Sequence, residues 1–214
     1  MIKVNRYHLF LGLVSIASMA YSAPANLSVA KCKVENYYEC GKYNKQLNKV
    51  VNKAIKHFAK VTCPSEKTVI FDVDDTALST FAVVKSIKYG YIDEVTDRSE
   101  LCGNLPGIPA TRRLYNFLLD RGFHTVFLTG RAQDKYEATK WNLEQQGFTN
   151  FEAIIMREPH EIGVKAQEYK LKRRQQLAQE GRIIAGSVGD QWSDLCGGYA
   201  GYQVKLPNLI YELL

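Results

Sequence analysis

The chain has 214 residues, 46% of them hydrophobic and 23% charged. That composition is ordinary for a globular protein of one domain plus an appendage, and it excludes global disorder. The net charge of +6 suits attraction of small anions; no dense Lys/Arg stripe with interleaved aromatics accompanies it, which argues against nucleic-acid binding.

Residues 1–22 read as an export signal. Lys3 and Arg6 give a positive start, Leu9 to Met19 is apolar with small residues, and Ala20-Tyr21-Ser22 fits a small-x-small cleavage site. A cut after Ala23 is the alternative. Cleavage removes two basic residues and no acid, lowering the net charge to +4. The apolar run is too short for a membrane span, so no stable membrane anchor is expected, a retained N-terminal anchor being the runner-up. The expected location is a bacterial periplasm or the outside of the cell. In such an oxidising setting the five cysteines, Cys32, Cys40, Cys63, Cys102 and Cys196, are expected to form one or two disulfides, with pairing left open.

Residues 23–62 form an N-terminal helical extension. Leu47, Val50, Val51, Ala54, Ile55 and Phe58 recur at spacings of three and four, which predicts a helix from about Val34 to Val61, closed by Pro64. From residue 63 to 214 strands and helices alternate. Strand Thr68–Phe71 leads into an acidic turn. Residues 81–108 carry no clear repeat and form a small insertion. Helix Pro109–Arg121 opens on proline and stops before Gly122. Strand Thr125–Leu128, helix Asp134–Gln146, strand Ala153–Met156, helix Lys165–Glu180, strand Arg182–Val188 and a last strand at Val204–Leu206 follow. This order predicts an α/β fold, a Rossmann-like parallel sheet with helices on both faces. Such sheets bind ligands beyond the carboxyl ends of their strands, where Asp72, Asp74, Thr129 and Asp190 all lie.

The turn Asp72-Val73-Asp74-Asp75 places three carboxylates within four positions after a buried strand. Like charges crowded at a strand end repel, and burial removes the water that screens them. A hard cation such as Mg²⁺ resolves the conflict, and carboxylates of this kind serve as nucleophile and as acid/base. A helix N-cap explains one aspartate but not three.

Together these residues resemble the haloacid dehalogenase (HAD) superfamily, most closely its class B and plant-type subfamily IIIB acid phosphatases, including exported bacterial members. The resemblance rests on Asp72 to Ser79, on Phe127-Leu128-Thr129-Gly130-Arg131, on Tyr169, Lys170 and Arg174, and on Gly189 to Leu195. It implies a Mg²⁺-dependent acid phosphatase acting on small phosphomonoesters through an aspartyl-phosphate. It implies Asp72 as nucleophile and Asp74 as acid/base. Thr129, Gly130 and Lys170 are implied to hold the phosphoryl group with Asp72. Mg²⁺ is implied to bind Asp72, the main-chain carbonyl of Asp74, Asp190 and Asp194, the last directly or through water. Lys165 and Lys172 compete with Lys170 as the cationic partner, and Arg131 either faces the phosphate pocket or braces its loop. The 81–108 insertion stands where the family places its cap and is too small for a closed lid, so an open site of broad specificity is expected. A phosphotransferase sharing the intermediate and a non-catalytic storage relative are the alternatives, and a homodimer is compatible with the family.

Overall fold

A computed structural model describes residues 26–213, so the export-signal reading of residues 1–22 lies outside the described residues. Among the described residues no helix is long and apolar enough to cross a membrane. The order of elements is α1 (Leu27–Glu39), α2 (Lys42–Phe58), β1 (Lys67–Phe71), α3 (Phe81–Ser86), α4 (Asp93–Leu101), α5 (Pro109–Asp120), β2 (His124–Ala132), α6 (Tyr136–Gln145), β3 (Ala153–Arg157), α7 (Ala166–Gln179), β4 (Ile183–Gly189) and β5 (Tyr202–Lys205).

The five strands form one sheet in the order β3-β2-β1-β4-β5, and every pairing is parallel. The chain runs outward from β1 through β2 to β3, then crosses to the other side of β1 for β4. The order therefore reverses between β1 and β4, and the crevice beyond their carboxyl ends is where doubly wound sheets bind ligands.

Alternation along the strands divides the core into two layers. Val69 and Phe71 of β1 and Phe127 of β2 point into a large cluster with α2, α5 and α6, through Leu47, Val51, Phe58, Leu114, Leu118 and Leu143. Ile70, Val126 and Leu128 point to the other face and meet Tyr169 and Leu177 of α7. Helices on both faces are thus observed as the sequence predicts.

Three expectations are corrected. The single helix expected over Val34–Val61 is two helices, broken at Gly41, whose φ of +80° lies in the left-handed region that favours glycine. α2 buries its apolar stripe, whereas no residue of α1 is fully buried. Instead Tyr38 of α1 stacks on Phe81 and on Tyr43, each at 4.5 Å between ring centres, and its hydroxyl accepts a bond from the Leu209 amide. α1 therefore clamps the start of the insertion and the C-terminal segment to the body. Second, the insertion at residues 81–108 contains the helices α3 and α4. Neither has a fully buried residue, which leaves no apolar stripe for sequence periodicity to detect. Third, no disulfide joins the five cysteines. Cys32 and Cys40 stand eight positions apart along and just beyond α1, about 12 Å of helical rise, past the reach of a disulfide.

Phe58 ties α2 to the sheet. It is fully buried, packs edge-on against Phe123 and Tyr202, and fills the space over Gly186, where a Cβ would come within 2.6 Å of its ring. Phe58→Ala is expected to lower the unfolding free energy by about 3–5 kcal/mol through lost burial and a residual cavity. Urea denaturation followed by circular dichroism measures it. A loss below about 1 kcal/mol would show that α2 is a dispensable appendage.

Candidate active site

The acidic turn after β1 is built around a left-handed residue. Asp75 has a φ of +53°, a conformation that Asp tolerates better than most side chains. Its amide donates to the Leu78 carbonyl at 2.6 Å, and its carboxylate accepts from the Thr80 amide at 2.9 Å and the Thr80 hydroxyl at 2.5 Å. Asp75 therefore shapes the turn, and this leaves Asp72 and Asp74 to face the crevice, both lining the cleft.

Asp72 lies at the end of β1 and is 6% exposed. Its Oδ1 accepts a bond from Lys170 Nζ at 2.5 Å, and the same ammonium is paired with Asp194 Oδ1. Lys170 is supplied by α7, 98 positions away in sequence. Lys165 and Lys172 make no such contact: both are exposed, and Lys172 pairs with Glu161 instead. Asp190, after β4, is held by neutral donors: Thr76 Oγ1 at 3.0 Å, Gln191 Nε2 at 2.6 Å and Asn208 Nδ2 at 2.6 Å. The Thr76 hydroxyl also accepts the Asp190 amide at 3.0 Å, which locks the turn after β1 to the loop after β4.

Asp194 is brought back toward the strand by a short helical turn, Trp192–Asp194, whose Gln191 amide donates to Asp194 Oδ2 at 2.9 Å. Gly189 is required by this return: a Cβ there would stand 2.2 Å from Asp194 Oδ2. Arg174, one helical turn beyond Lys170, is fully buried and donates to the carbonyls of Asp194, Cys196 and Gly198. The Lys-x-x-x-Arg spacing thus gives one helix face two tasks, pairing with Asp72 and fixing the loop that carries Asp194. In the sequence Arg174 is only part of a pattern; its partners are main-chain carbonyls, which leave no trace in residue identity.

Asp72, Asp190 and Asp194 offer one oxygen each within 4.8 Å of one another. Three buried carboxylates face one buried ammonium, an imbalance that two further positive charges remove. All the donors are hard oxygens, so the set suits a divalent ion of the Mg²⁺ type. Asp74 takes a different course: its carboxylate receives Arg131 in a two-point grip, Nε at 3.0 Å and Nη2 at 2.7 Å. Arg131 is buried and also donates through Nη1 to Thr139 of α6 at 3.0 Å. It therefore braces the site through Asp74. Thr129 is fully buried, its hydroxyl accepting the Arg131 amide at 3.2 Å, whereas Gly130 lines the cleft.

The cleft has a volume of about 860 Å³. One wall is the insertion, where Asp97 and Glu100 of α4 are clasped by Lys135. Another is the C-terminal segment, with Ile210, Tyr211 and Leu213. The Gln191 side-chain amide donates to the Tyr211 carbonyl and accepts from the Leu213 amide, which holds that segment beside Asp190. No periodicity marks this wall in the sequence, because the segment has no regular structure.

Burial sets the charge states of the site. It pushes Asp72 well above the usual carboxylate range, opposed by Lys170 and reinforced by Asp194 and Asp190. It raises Asp190 likewise, with Asp194 adding to the effect. Asp75 is pushed up to about 7 by burial and by Asp190. Lys170 moves up, because Asp194 and Asp72 outweigh its own desolvation.

Known proteins resemble this chain in sequence or in fold. A family described as HAD superfamily, subfamily IIIB (acid phosphatase), matches residues 15–214. A stem 31 kDa glycoprotein of Glycine max is 39% identical over 149 residues, 67% of this chain and 59% of that protein. Acid phosphatase 1 of Solanum lycopersicum is 37% identical over 149 residues, 68% and 58% of the two chains. This chain therefore spans about three-fifths of the length of both. Vegetative storage protein 1 of Arabidopsis thaliana is 35% identical over 199 residues, 89% of this chain and 72% of that protein. The class C acid phosphatase of Bacillus anthracis superposes with a TM-score of 0.71 at 18% identity, over 87% of this chain and 86% of that one, which shows a common fold.

Carboxylates with raised folded-state values favour the folded protein when protonated. Their contribution is full below the unfolded value, near 4, and is lost as pH rises through the folded value, about 7 for Asp75. Glu152 and Glu161 are shifted downward and stay ionised above pH 5, so they do not mask the effect. The metal-free protein is therefore expected to melt on the order of 5 °C lower at pH 8 than at pH 5. Differential scanning fluorimetry in EDTA measures this; a melting temperature that rises over that window contradicts the charge assignment.

Proposed function

We propose that this chain, which belongs to the HAD superfamily, subfamily IIIB (acid phosphatase), hydrolyses phosphomonoesters at the β1–β4 crevice, through an aspartyl-phosphate on Asp72 and with Mg²⁺ as cofactor. One observation carries the reading: the buried carboxylate of Asp72 paired at 2.5 Å with Lys170, beside Asp190 and Asp194.

In the first step an oxygen of Asp72 attacks phosphorus and the ester P–O bond breaks. The leaving alkoxide takes a proton from the Asp74 carboxyl group. In the second step water attacks the same phosphorus and gives its proton to Asp74; the bond to Asp72 breaks, and phosphate leaves. Lys170 neutralises charge on Asp72 and on the transferring group, while the Thr129 hydroxyl and Gly130 hold its oxygens. Arg131 keeps Asp74 in place through its two-point grip. A divalent cation held by Asp72, Asp190, Asp194 and the main-chain carbonyl of Asp74 supplies positive charge between an anionic nucleophile and an anionic ester.

Mildly acidic pH is expected to suit the activity, as in the family to which the chain belongs. An open cleft walled by a small insertion supports broad specificity for the leaving group. Retention of Asp72 and its lysine supports an enzyme over a storage role. Transfer of the phosphoryl group to an alcohol uses the same intermediate and is separated from hydrolysis by product analysis. Lys3, Arg6 and the apolar run after them support export to a periplasm or the medium, and residues 23–62 serve as a helical extension of the phosphatase domain at 63–214.

Asp72→Asn is expected to lower phosphate release from para-nitrophenyl phosphate at least about a thousand-fold, since it removes the nucleophile while keeping its shape. Turnover at the parent rate in that variant rejects the covalent route. Asp190→Asn is expected to weaken Mg²⁺ at least about ten-fold in isothermal titration calorimetry, and to leave Asp72 and Lys170 in place. Unchanged Mg²⁺ affinity in this variant removes Asp190 from the ligand set.

A further inference from the structure

Among the described residues, four cations line the cleft: Arg131, Lys135, Arg157 and Lys170. Three are matched with carboxylates, Lys170 with Asp72 and Asp194, Arg131 with Asp74, and Lys135 with Asp97 and Glu100. Arg157, the last residue of β3, has no carboxylate partner although it is only 8% exposed.

The surroundings of Arg157 hold it rigid without using it up. Its Nη1 donates to the carbonyls of Glu161 and Val164, each at 2.8 Å, and its guanidinium carbon stands 4.5 Å over the centre of the Tyr169 ring. Nε and Nη2 have no partner among the described residues, and Nε lies 3.8 Å from where a Cβ on Gly130 would stand. Arg174 shows the contrast: all three of its nitrogens donate to carbonyls, as a purely structural arginine should.

A second feature faces the same flank. Helix α7 begins at Ala166, which lines the cleft, and no side chain caps its N-terminus. Its first amides have no partner within the helix, and the aligned peptide dipoles favour negative charge there. Elsewhere the lining carries Asp97, Glu100 and Asp134.

We infer that Arg157 and the uncapped start of α7 form a second anion subsite, which takes a second carboxylate or phosphate of the phosphomonoester substrate. The subsite rests on the phosphatase reading of the same cleft and names the substrate class within it. The subsite adjoins the place of the transferring group, because Arg157 Nε approaches Gly130. β2 lies between β3 and β1, so Arg157 stems from a strand two spacings, about 10 Å, from that of Asp72. The side chain leans from that strand toward Gly130 of β2, so its free donors suit a substrate whose second anionic group lies on the β3 side of the one that is transferred.

The test compares para-carboxyphenyl phosphate with para-carbamoylphenyl phosphate, near-isosteres that differ in the second charge. The parent protein with Mg²⁺ is expected to favour the carboxylate by about ten-fold in kcat/KM, the worth of one charge-assisted hydrogen bond. Arg157→Gln is expected to bring that ratio close to one. Arg157→Lys, which keeps the charge and loses the fork, is expected to fall between. A parent ratio of one overturns the subsite without recourse to any variant. A ratio unchanged in Arg157→Gln, or an equal loss on both esters, also overturns it, since Arg157 then serves the loop or the transferring group. No turnover of either ester by the parent defeats the phosphatase reading and the subsite with it.

Discussion

Charge balance in a buried place is the constraint on which the rest of the structure depends. Asp72, Asp190 and Asp194 converge beyond the ends of β1 and β4 with Lys170 as their single buried ammonium. Isolated carboxylates in such a place pay a desolvation cost larger than most single interactions return, so each must be met by a cation or by dense hydrogen bonding. Asp190 is met by Thr76, Gln191 and Asn208, and Asp72 and Asp194 by Lys170. What remains is a surplus of negative charge in a dry, oxygen-rich setting. In the proposed reaction a divalent cation would offset that surplus and let an anionic ester approach Asp72.

Much of the chain outside the crevice keeps these groups in register. Thr76 bonds both the amide and the carboxylate of Asp190, joining segments 114 positions apart. Arg174 fixes the carbonyls of the loop that carries Asp194, and Gly189 leaves the space into which that carboxylate returns. Two sequence motifs that look independent, the Lys-x-x-x-Arg of α7 and the Gly-Asp segment after β4, are thus halves of one support. The parallel sheet brings them together because β4 lies beside β1 at the reversal of strand order.

The cleft above this support is asymmetric. On the insertion side its acids are already clasped by Lys135, and Arg131 binds Asp74 while reaching Thr139 on α6. On the α7 side a buried arginine and a bare helix start are left with unused donors. The C-terminal segment, pinned by Gln191 and Tyr38, closes a further side. Under the proposed function this division between satisfied and unsatisfied charge would orient a substrate more than cleft volume does, since a charged group enters where its desolvation is offset.

The sequence by itself determined the alternation of strands and helices, the parallel sheet and the carboxylates, threonine and lysine of the site. Those follow from local causes: apolar periodicity that matches each element, glycines and prolines that end them, and polar residues placed immediately after strands. Only the tertiary structure decided the break at Gly41, the helices of the insertion, the C-terminal wall and the separate fates of Arg131, Arg157 and Arg174. These three arginines are chemically identical in sequence. One grips a carboxylate, one fastens a loop, and one keeps donors free, because each is defined by partners that the folded chain supplies from distant segments and main-chain carbonyls.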